Sequence, residues 1–348
     1  MTDLISIHQA REAVDACLAD VLAKRCRQAA QISPKYQRLW QTIEHVAMAG
    51  GKRFRPYLTM MSYGTVDEKI TPIAAAQELL HVATLMHDDV IDQDTMRHGQ
   101  LNVSGEYQNI YDDYIDDGRR AHYANSAAII AGDLLIAEAY QQIAMSSFDP
   151  GIISKLHARL TTSIFEVVGG QLLDVETGFM PDEPISPLLV YRYKTASYSF
   201  AGPLLAGGYC TAASDETIAL LEQFAMRVGV AFQVQDDLLG VFGDESEIGK
   251  PTLGDLREGK QTLLVRYHLS LMDEAQRARF EVFGNPAATA EQLQAIQQDM
   301  QASGAKMHAE KMVAEYFDDA EAMLGDITDD GLHARLAAFV GMLRGRKA

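Results

Sequence analysis

The sequence predicts an all-α fold in a single domain spanning residues 1–348. Three observations predict it. Long stretches place apolar residues at three- and four-residue spacing, the period of a helix with one buried face. No run of alternating β-branched residues is bounded by tight hairpin turns. The prolines sit mostly at segment edges (Pro34, Pro56, Pro72, Pro150, Pro181, Pro184 and Pro187), where a residue without an N–H opens or stops a helix.

Residues 8–30 are rich in Ala, Arg, Gln and Leu and read as the first helix. Residues 73–92, IAAAQELLHVATLMHDDVID, carry the helical period clearly, as do 124–144, 152–176, 215–240 and 289–324. Segment 93–122 is polar and is expected to be a loop with short helices; 177–187 and 243–259 also read as loops. No stretch has the composition of a flexible linker, and there is no short-period repeat.

Composition sets limits on function. Of 348 residues 47% are hydrophobic, which excludes a disordered chain, and the formal net charge is −18. Such a surface is a poor partner for nucleic acid or anionic lipid, so any phosphate chemistry needs a local basic pocket. Cys17, Cys26 and Cys210 form no CxxC or metal spacing, which points to a reducing compartment. The start lacks a signal-peptide core, and there is no 18-residue uncharged apolar run for a membrane span. A cytoplasmic location is expected.

The chemistry sits in two acidic motifs and several basic ones. Asp88 and Asp92 are spaced i, i+4, so one helix turn presents two carboxylates side by side, with Asp89 turned away by roughly 100°. Like charges so placed destabilise a helix unless a cation joins them, and hard oxygen ligands suit Mg²⁺ completed by substrate phosphates. Asp236 and Asp237 end a second apolar run, interrupted by Gln233 and Gln235, each of which needs a partner if buried. Both acidic motifs follow long apolar helices, which suggests carboxylates facing one another across one cavity. GGKRFRP at 50–56 sets Lys52, Arg53 and Arg55 behind two glycines, a knot of cations suited to a diphosphate. Arg97 and His98 follow the first acidic motif; Lys194 precedes Thr195; Lys250, Arg257 and Lys260 lie in the glycine- and lysine-rich segment 249–262. The expected ligand is a lipid-tailed diphosphate bridged to carboxylates by Mg²⁺.

These pieces resemble the trans-isoprenyl diphosphate synthases, or polyprenyl synthetases. The matching segments run in order: GGKRFRP, ELLHVATLMHDDVIDQD, RHG, AGDLLIAEAY, GGQLLD, YKTAS, FQVQDDLLGVFGD and GKPTLGDLREGKQT, over roughly residues 45–265. The resemblance implies an isoprenoid synthase-type bundle of helices around a deep central cavity, as a homodimer. It implies condensation of isopentenyl diphosphate with an allylic diphosphate. By position, Asp88 and Asp92 would bind two Mg²⁺ and Asp236 a third. Arg97, Lys194 and Lys250, with Lys260 nearby, would hold the allylic diphosphate. Lys52, Arg55, His81 and His98 would hold isopentenyl diphosphate. Thr195 and Gln233 would face the reacting carbons with Lys194. The chain departs from the family at His98, often a second arginine, and at Gly240, often an aspartate.

Two other classes share part of this pattern. A non-catalytic subunit of a heteromeric prenyltransferase would be expected to lose these charged motifs. A class I terpene cyclase would leave GGKRFRP unexplained. For product length, small Ala83 and Thr84 before Asp88 leave the cavity open past C15 in the family, while DDLLGVFGD looks like geranylgeranyl-type members. C20 is the expected product, with C25–C40 next and C15 third.

Overall fold

The computed structural model describes residues 5–111, 116–179, 185–243 and 252–346. The chain divides into two compact units, Met1–Leu160 with Pro203–Ala213, and Thr161–Gly202 with Ser214–Ala348.

In the first unit, α1 (Ile7–Ile32) opens on a capping box: Ser6 accepts from the Gln9 backbone, and the Gln9 side chain accepts from the Ser6 N–H, both at 3.1 Å. Ser33 stops α1 and caps α2 (Pro34–Met48), whose first position is the predicted proline. The chain then reaches α3 (Phe54–Tyr63) through Gly50, Gly51 and Arg53 at φ 141°, 111° and 48°. Positive φ at two consecutive residues explains the paired glycines.

Helix α4 (Thr71–Ile91) is buried on every side from Ile73 to Leu80, which makes it the axis of this unit. It packs chiefly on α6 (Asp117–Ala144), whose facing residues include Ala124, Ala128, Ala131 and Gly132. Between these helices run a two-residue hairpin, β1 (Met96–Arg97) with β2 (Gln100–Leu101), and α5 (Val103–Asn109). The hairpin turn is His98–Gly99, at φ 52° and 75°, the pair of positive values that a two-residue loop requires. The sequence carries no strand signal here because the turn uses His-Gly, and two residues are too few to show a period. Helix α6 starts seven residues before the expected position, where Asp116 caps it. Its polar first turns hide the apolar period.

Helix α7 (Pro150–Phe179) begins in the first unit and ends in the second. The second unit continues with α8 (Pro187–Val190) and an 11-residue π-helix (Tyr191–Ala201), which leads into α9 (Gly202–Cys210). Helix α10 (Asp215–Phe242) packs on the π-helix and on α15 (Ala305–Leu324). Short helices α11 (Gly254–Glu258), α12 (Leu263–Leu271) and α13 (Glu274–Phe280) precede α14 (Ala290–Ala302), and α16 (Asp330–Arg344) follows α15. The periodic stretch 289–324 is thus two helices, parted at Gly304 with φ 82°. Val234, Leu238, Leu256, Leu264, Ile296 and Ala309 share this unit's core. No helix among the described residues is long and apolar enough to cross a membrane.

One buried ion network locks the first unit. Arg53, 3% exposed, donates to Asp15 at 2.7 Å, to buried Glu78 at 2.8 Å and to the Ala47 carbonyl at 2.8 Å. It joins α1, α2, α3 and α4. Arg53→Met is expected to destabilise the protein by about 3–5 kcal/mol, because Glu78 keeps a buried charge without its partner. Urea denaturation of the two proteins measures the difference.

Candidate active site

From His81 onward the α4 helix opens on one face. His81, Thr84, Leu85 and Asp88 are part-exposed and Asp92 is exposed, while Val82, Ala83, Met86 and Asp89 are buried. These five positions step by 3, 1, 3 and 4 and share one stripe of the helix, while His87, Val90 and Ile91 are open elsewhere around it. The i, i+4 carboxylates therefore share the accessible face. Asp92 closes the helix, its N–H donating to the Asp88 carbonyl at 2.8 Å.

The second aspartate of the motif does something different. Asp89 is 2% exposed, and one of its oxygens accepts from Arg97 Nε at 2.9 Å and Nη2 at 2.5 Å. Burial raises the Asp89 carboxyl above its ordinary value, with Arg97 pulling the other way. Arg97 is thereby oriented by the helix it follows, and the hairpin turn sets exposed His98 beyond it. Burial holds the His81 imidazole well below its ordinary value, reinforced by Arg55, Arg97, Arg53 and His98. His81 is neutral at pH 7. Of the three cations in GGKRFRP, Lys52 is exposed and Arg55 part-exposed, whereas Arg53 belongs to the fold. Thr84 donates its hydroxyl to the His81 carbonyl at 2.7 Å, and Ala83 lies wholly buried behind it.

His87 anchors this helix from the other side. Its Nε2 lies 3.2 Å from the Ile129 carbonyl and 3.6 Å from Asp133. Gly132 makes room, since a Cβ there would come within 2.2 Å of that nitrogen. The AGD of 131–133 belongs to one of the matching segments, but the sequence does not show what it packs against.

In the second unit the YKTAS segment lies on the π-helix, pressed between two glycines. A Cβ on Gly170 of α7 would fall 2.3 Å from the Lys194 nitrogen, and one on Gly229 of α10 2.6 Å from Ala196 Cα. Such close approach lets Asp174, one turn beyond Gly170, accept from the Lys194 ammonium. The π-helix leaves Lys194 and Thr195 part-exposed, while Ala196 to Ala201 are buried. Wide helical turns of this kind concentrate at functional sites.

The two glutamines of α10 find different partners. Gln235 is structural: it donates to the carbonyls of Leu343 at 3.2 Å and Arg346 at 2.8 Å. Gln233 accepts from the Thr195 hydroxyl at 2.8 Å and donates to Asp237 at 2.9 Å. Asp237 is 5% exposed and also accepts from the Tyr191 hydroxyl. Burial pushes its carboxyl up to about 8, opposed by those two donors. Asp236 is open instead, 58% exposed, with Arg346 at 3.4 Å. Tyr191 and Asp174 were not singled out from sequence. The i, i+4 spacing of Gln233 and Asp237 was the one readable sign of that pairing.

Gly240 has a packing reason. A Cβ there would lie 2.6 Å from an Asp255 carboxylate oxygen, so the place an aspartate side chain would enter is filled by Asp255 of α11. Lys260 is held by Asp255 at 3.1 Å and Glu258 at 2.9 Å; burial works against its charge, but the two acids raise its pKa above the ordinary value. Lys250 lies outside the described residues.

No group of three or more His, Cys, Asp or Glu among the described residues forms a metal cage. Mg²⁺ does not need one, because it commonly takes one or two carboxylates and completes its shell with water and phosphate oxygens. Asp88 with Asp92, and exposed Asp236, fit that donor chemistry.

The family model for polyprenyl synthetases matches residues 36–300. The chain is 33% identical over 268 residues to a geranylgeranyl diphosphate synthase of Sulfolobus acidocaldarius, covering 75% of this chain and 76% of that one. It is 28% identical over 316 residues to heptaprenyl diphosphate synthase component 2 of Geobacillus stearothermophilus, covering 89% and 91%. Its fold matches a geranylgeranyl pyrophosphate synthase of Corynebacterium glutamicum, solved with isoprenyl diphosphate and magnesium. There the TM-score is 0.90, with 26% identity and coverage of 99% of this chain and 100% of that one. The ordered motifs, the helical fold and the family match over most of the length establish that this chain belongs to the polyprenyl synthetase family of trans-prenyltransferases.

Proposed function

We propose that this enzyme condenses isopentenyl diphosphate with an allylic diphosphate to give C20 geranylgeranyl diphosphate. The observation that carries the site reading is the α4 stripe, which opens at His81 and ends in the carboxylate pair Asp88 and Asp92. Two of the similar proteins above make the geranylgeranyl product by name. The similarity to a heptaprenyl synthase component keeps a longer product, or a need for a second kind of chain, as the alternative. The two units are proposed to work as one catalytic domain, since the family match runs through both.

Asp88, Asp92 and Asp236 are the proposed ligands of Mg²⁺, three ions in all, which neutralise charge on the departing diphosphate when bound. Arg97, Lys194, Lys250 and Lys260 hold the allylic diphosphate. Lys52, Arg55, neutral His81 and His98 hold isopentenyl diphosphate. As the allylic C–O bond breaks, its electron pair leaves with the diphosphate. The part-exposed Thr195 and Gln233 oxygens face the allylic cation that remains, with water excluded. The isopentenyl double bond attacks the cation, and the released diphosphate takes the proton. No protein nucleophile is required.

The reaction is proposed to run in the cytoplasm, in keeping with three free cysteines. A homodimer is proposed through apolar residues that one copy leaves bare. Phe165, Val168 and Leu172 of α7 follow i, i+3, i+7 spacing and are 80%, 61% and 59% exposed.

Incubating the protein with an allylic diphosphate, with and without isopentenyl diphosphate, tests the reaction. Prenyl transfer requires both; product from the allylic substrate alone indicates a cyclase, and no product indicates a dependent subunit. Asp88→Ala is expected to lower kcat at least 100-fold with the helical circular-dichroism signal intact. Activity within a few-fold of the parent, still Mg²⁺-dependent, would overturn the ligand assignment. His98→Arg adds a permanent charge and is expected to lower KM for isopentenyl diphosphate several-fold while kcat moves little. Steady-state kinetics with each substrate varied in turn read that split.

Product length is proposed to be set by Thr84 directly, one turn before Asp88 on the open stripe, and by Ala83 through the wall behind it. Thr84→Phe is expected to shift the main product to C15, read by mass spectrometry. Ala83→Phe is expected to shorten it too, with about 1–3 kcal/mol of stability lost to overpacking. Unchanged product from both folded variants would place the floor elsewhere.

A further inference from the structure

A one-way chain of hydrogen bonds ends at Asp237, all of it within the second unit. The Leu263 N–H donates to the Tyr191 hydroxyl oxygen at 2.8 Å. Tyr191 donates its own hydrogen to Asp237 Oδ2. From the other side Gln233 Nε2 donates to Asp237 Oδ1 at 2.9 Å, and the Thr195 hydroxyl donates to Gln233 Oε1 at 2.8 Å. Every donor in the chain points toward the Asp237 carboxyl, and a proton shared between Oδ2 and Tyr191 leaves Oδ1 the acceptor that Gln233 meets.

This fixes two orientations that chemistry would otherwise leave open. An amide such as Gln233 has two ends of nearly equal size, one a donor and one an acceptor. Turned round, it would set its carbonyl oxygen against the Asp237 oxygen, acceptor against acceptor. Asp237 therefore forces Gln233 to show its carbonyl oxygen to Thr195. That oxygen takes the Thr195 hydrogen, so Thr195 turns its lone pairs away from Gln233. Both groups then present oxygen rather than hydrogen to whatever lies against them. Tyr191 is fixed likewise: it already accepts from Leu263, so its hydrogen goes to Asp237. Buried Tyr191 and Asp237 lie behind this pair, while Thr195 and Gln233 are part-exposed.

We infer that Asp237 is a positioning residue, which sets the polarity of the Gln233–Thr195 pair so that both present acceptor oxygens to a developing allylic cation. The inference rests on the proposed role of Thr195 and Gln233 and adds what makes them competent. It also separates the two aspartates of the motif: Asp236 faces outward as a metal ligand, and Asp237 faces inward and acts through Gln233.

The test inverts the polarity without removing an atom. In Asp237→Asn, Tyr191 still needs an acceptor, so the new amide shows Oδ1 to Tyr191 and its NH₂ to Gln233. Gln233 must then flip and point its own NH₂ at Thr195. The expected result is a fall in kcat of roughly 10- to 100-fold, with KM for both diphosphates and the Mg²⁺ concentration for half-activity within threefold of the parent. Adding Gln233→Glu to Asp237→Asn restores an acceptor facing Thr195, and kcat is expected to recover at least fivefold over the single variant. Tyr191→Phe leaves the carboxylate and its polarity in place, so its kcat should stay within threefold even though its Tm falls. Thr195→Val and Gln233→Ala serve as references. If neither lowers kcat, the proposed role of that pair is wrong. If they do, the positioning role is overturned by any of three results: an Asp237→Asn enzyme with parental kcat, one whose Mg²⁺ requirement rises with its loss of kcat, or a double variant no better than the single. Should Asp237→Asn not fold, the soluble double variant carries the test: near-parental kcat supports the polarity argument, and kcat as low as that of Gln233→Ala overturns it.

Discussion

Consecutive residues on a helix point about 100° apart, so two adjacent aspartates cannot serve the same ligand equally. Both acidic motifs in this protein resolve that constraint in the same way. The first aspartate, Asp88 or Asp236, stays accessible, while the second, Asp89 or Asp237, turns inward and is met by donors of its own unit. The inward carboxylate then does structural duty: Asp89 orients Arg97, and Asp237 orients Gln233. An unpartnered carboxylate at either depth would cost several kcal/mol, so each motif needs its donors. The rest of the site follows from where those donors come from. Arg97 has to arrive from the hairpin after α4, and Tyr191 from the start of the π-helix.

What could be read from the sequence divides along the same line. The α4 stripe was legible because it depends only on helical period: Thr84, Asp88 and Asp92 share a face by arithmetic, and His81, named by resemblance, falls on it. The partners were not, because they depend on which segments meet. Arg53 stood among Lys52 and Arg55 as one of three equal cations, and only tertiary packing sends it inward to Glu78 while its neighbours stay accessible. The π-helix gave no sign either. It lies in close contact with Gly170 and Gly229, and a glycine's spacing in sequence does not say what it approaches. Gly240 read as a missing carboxylate, whereas in the fold it is the space into which Asp255 reaches.

The strongly negative composition shapes how the cations are kept. In the described residues several cations of the motifs already hold carboxylates: Arg97 with Asp89, Lys194 with Asp174, Lys260 with Asp255 and Glu258. Under the proposed assignment, binding a diphosphate is an exchange of one anion for another rather than the capture of a bare charge. Exposure decides which pairs can exchange. Lys260 is 54% exposed and Lys194 27%, so their pairs are screened by water and worth little. Arg53 is 3% exposed and its pairs are not available.

That arrangement also bears on selectivity. A protein with net charge −18 repels a free diphosphate at long range, and the repulsion falls as the ligand's own charge is neutralised. Carboxylates on the accessible face of α4 attract a cation and repel a naked anion, so the favoured ligand is one that brings its counterions with it. Within the first unit the order follows from the helix itself: carboxylates at the end of the α4 stripe, with small Thr84 one turn behind them.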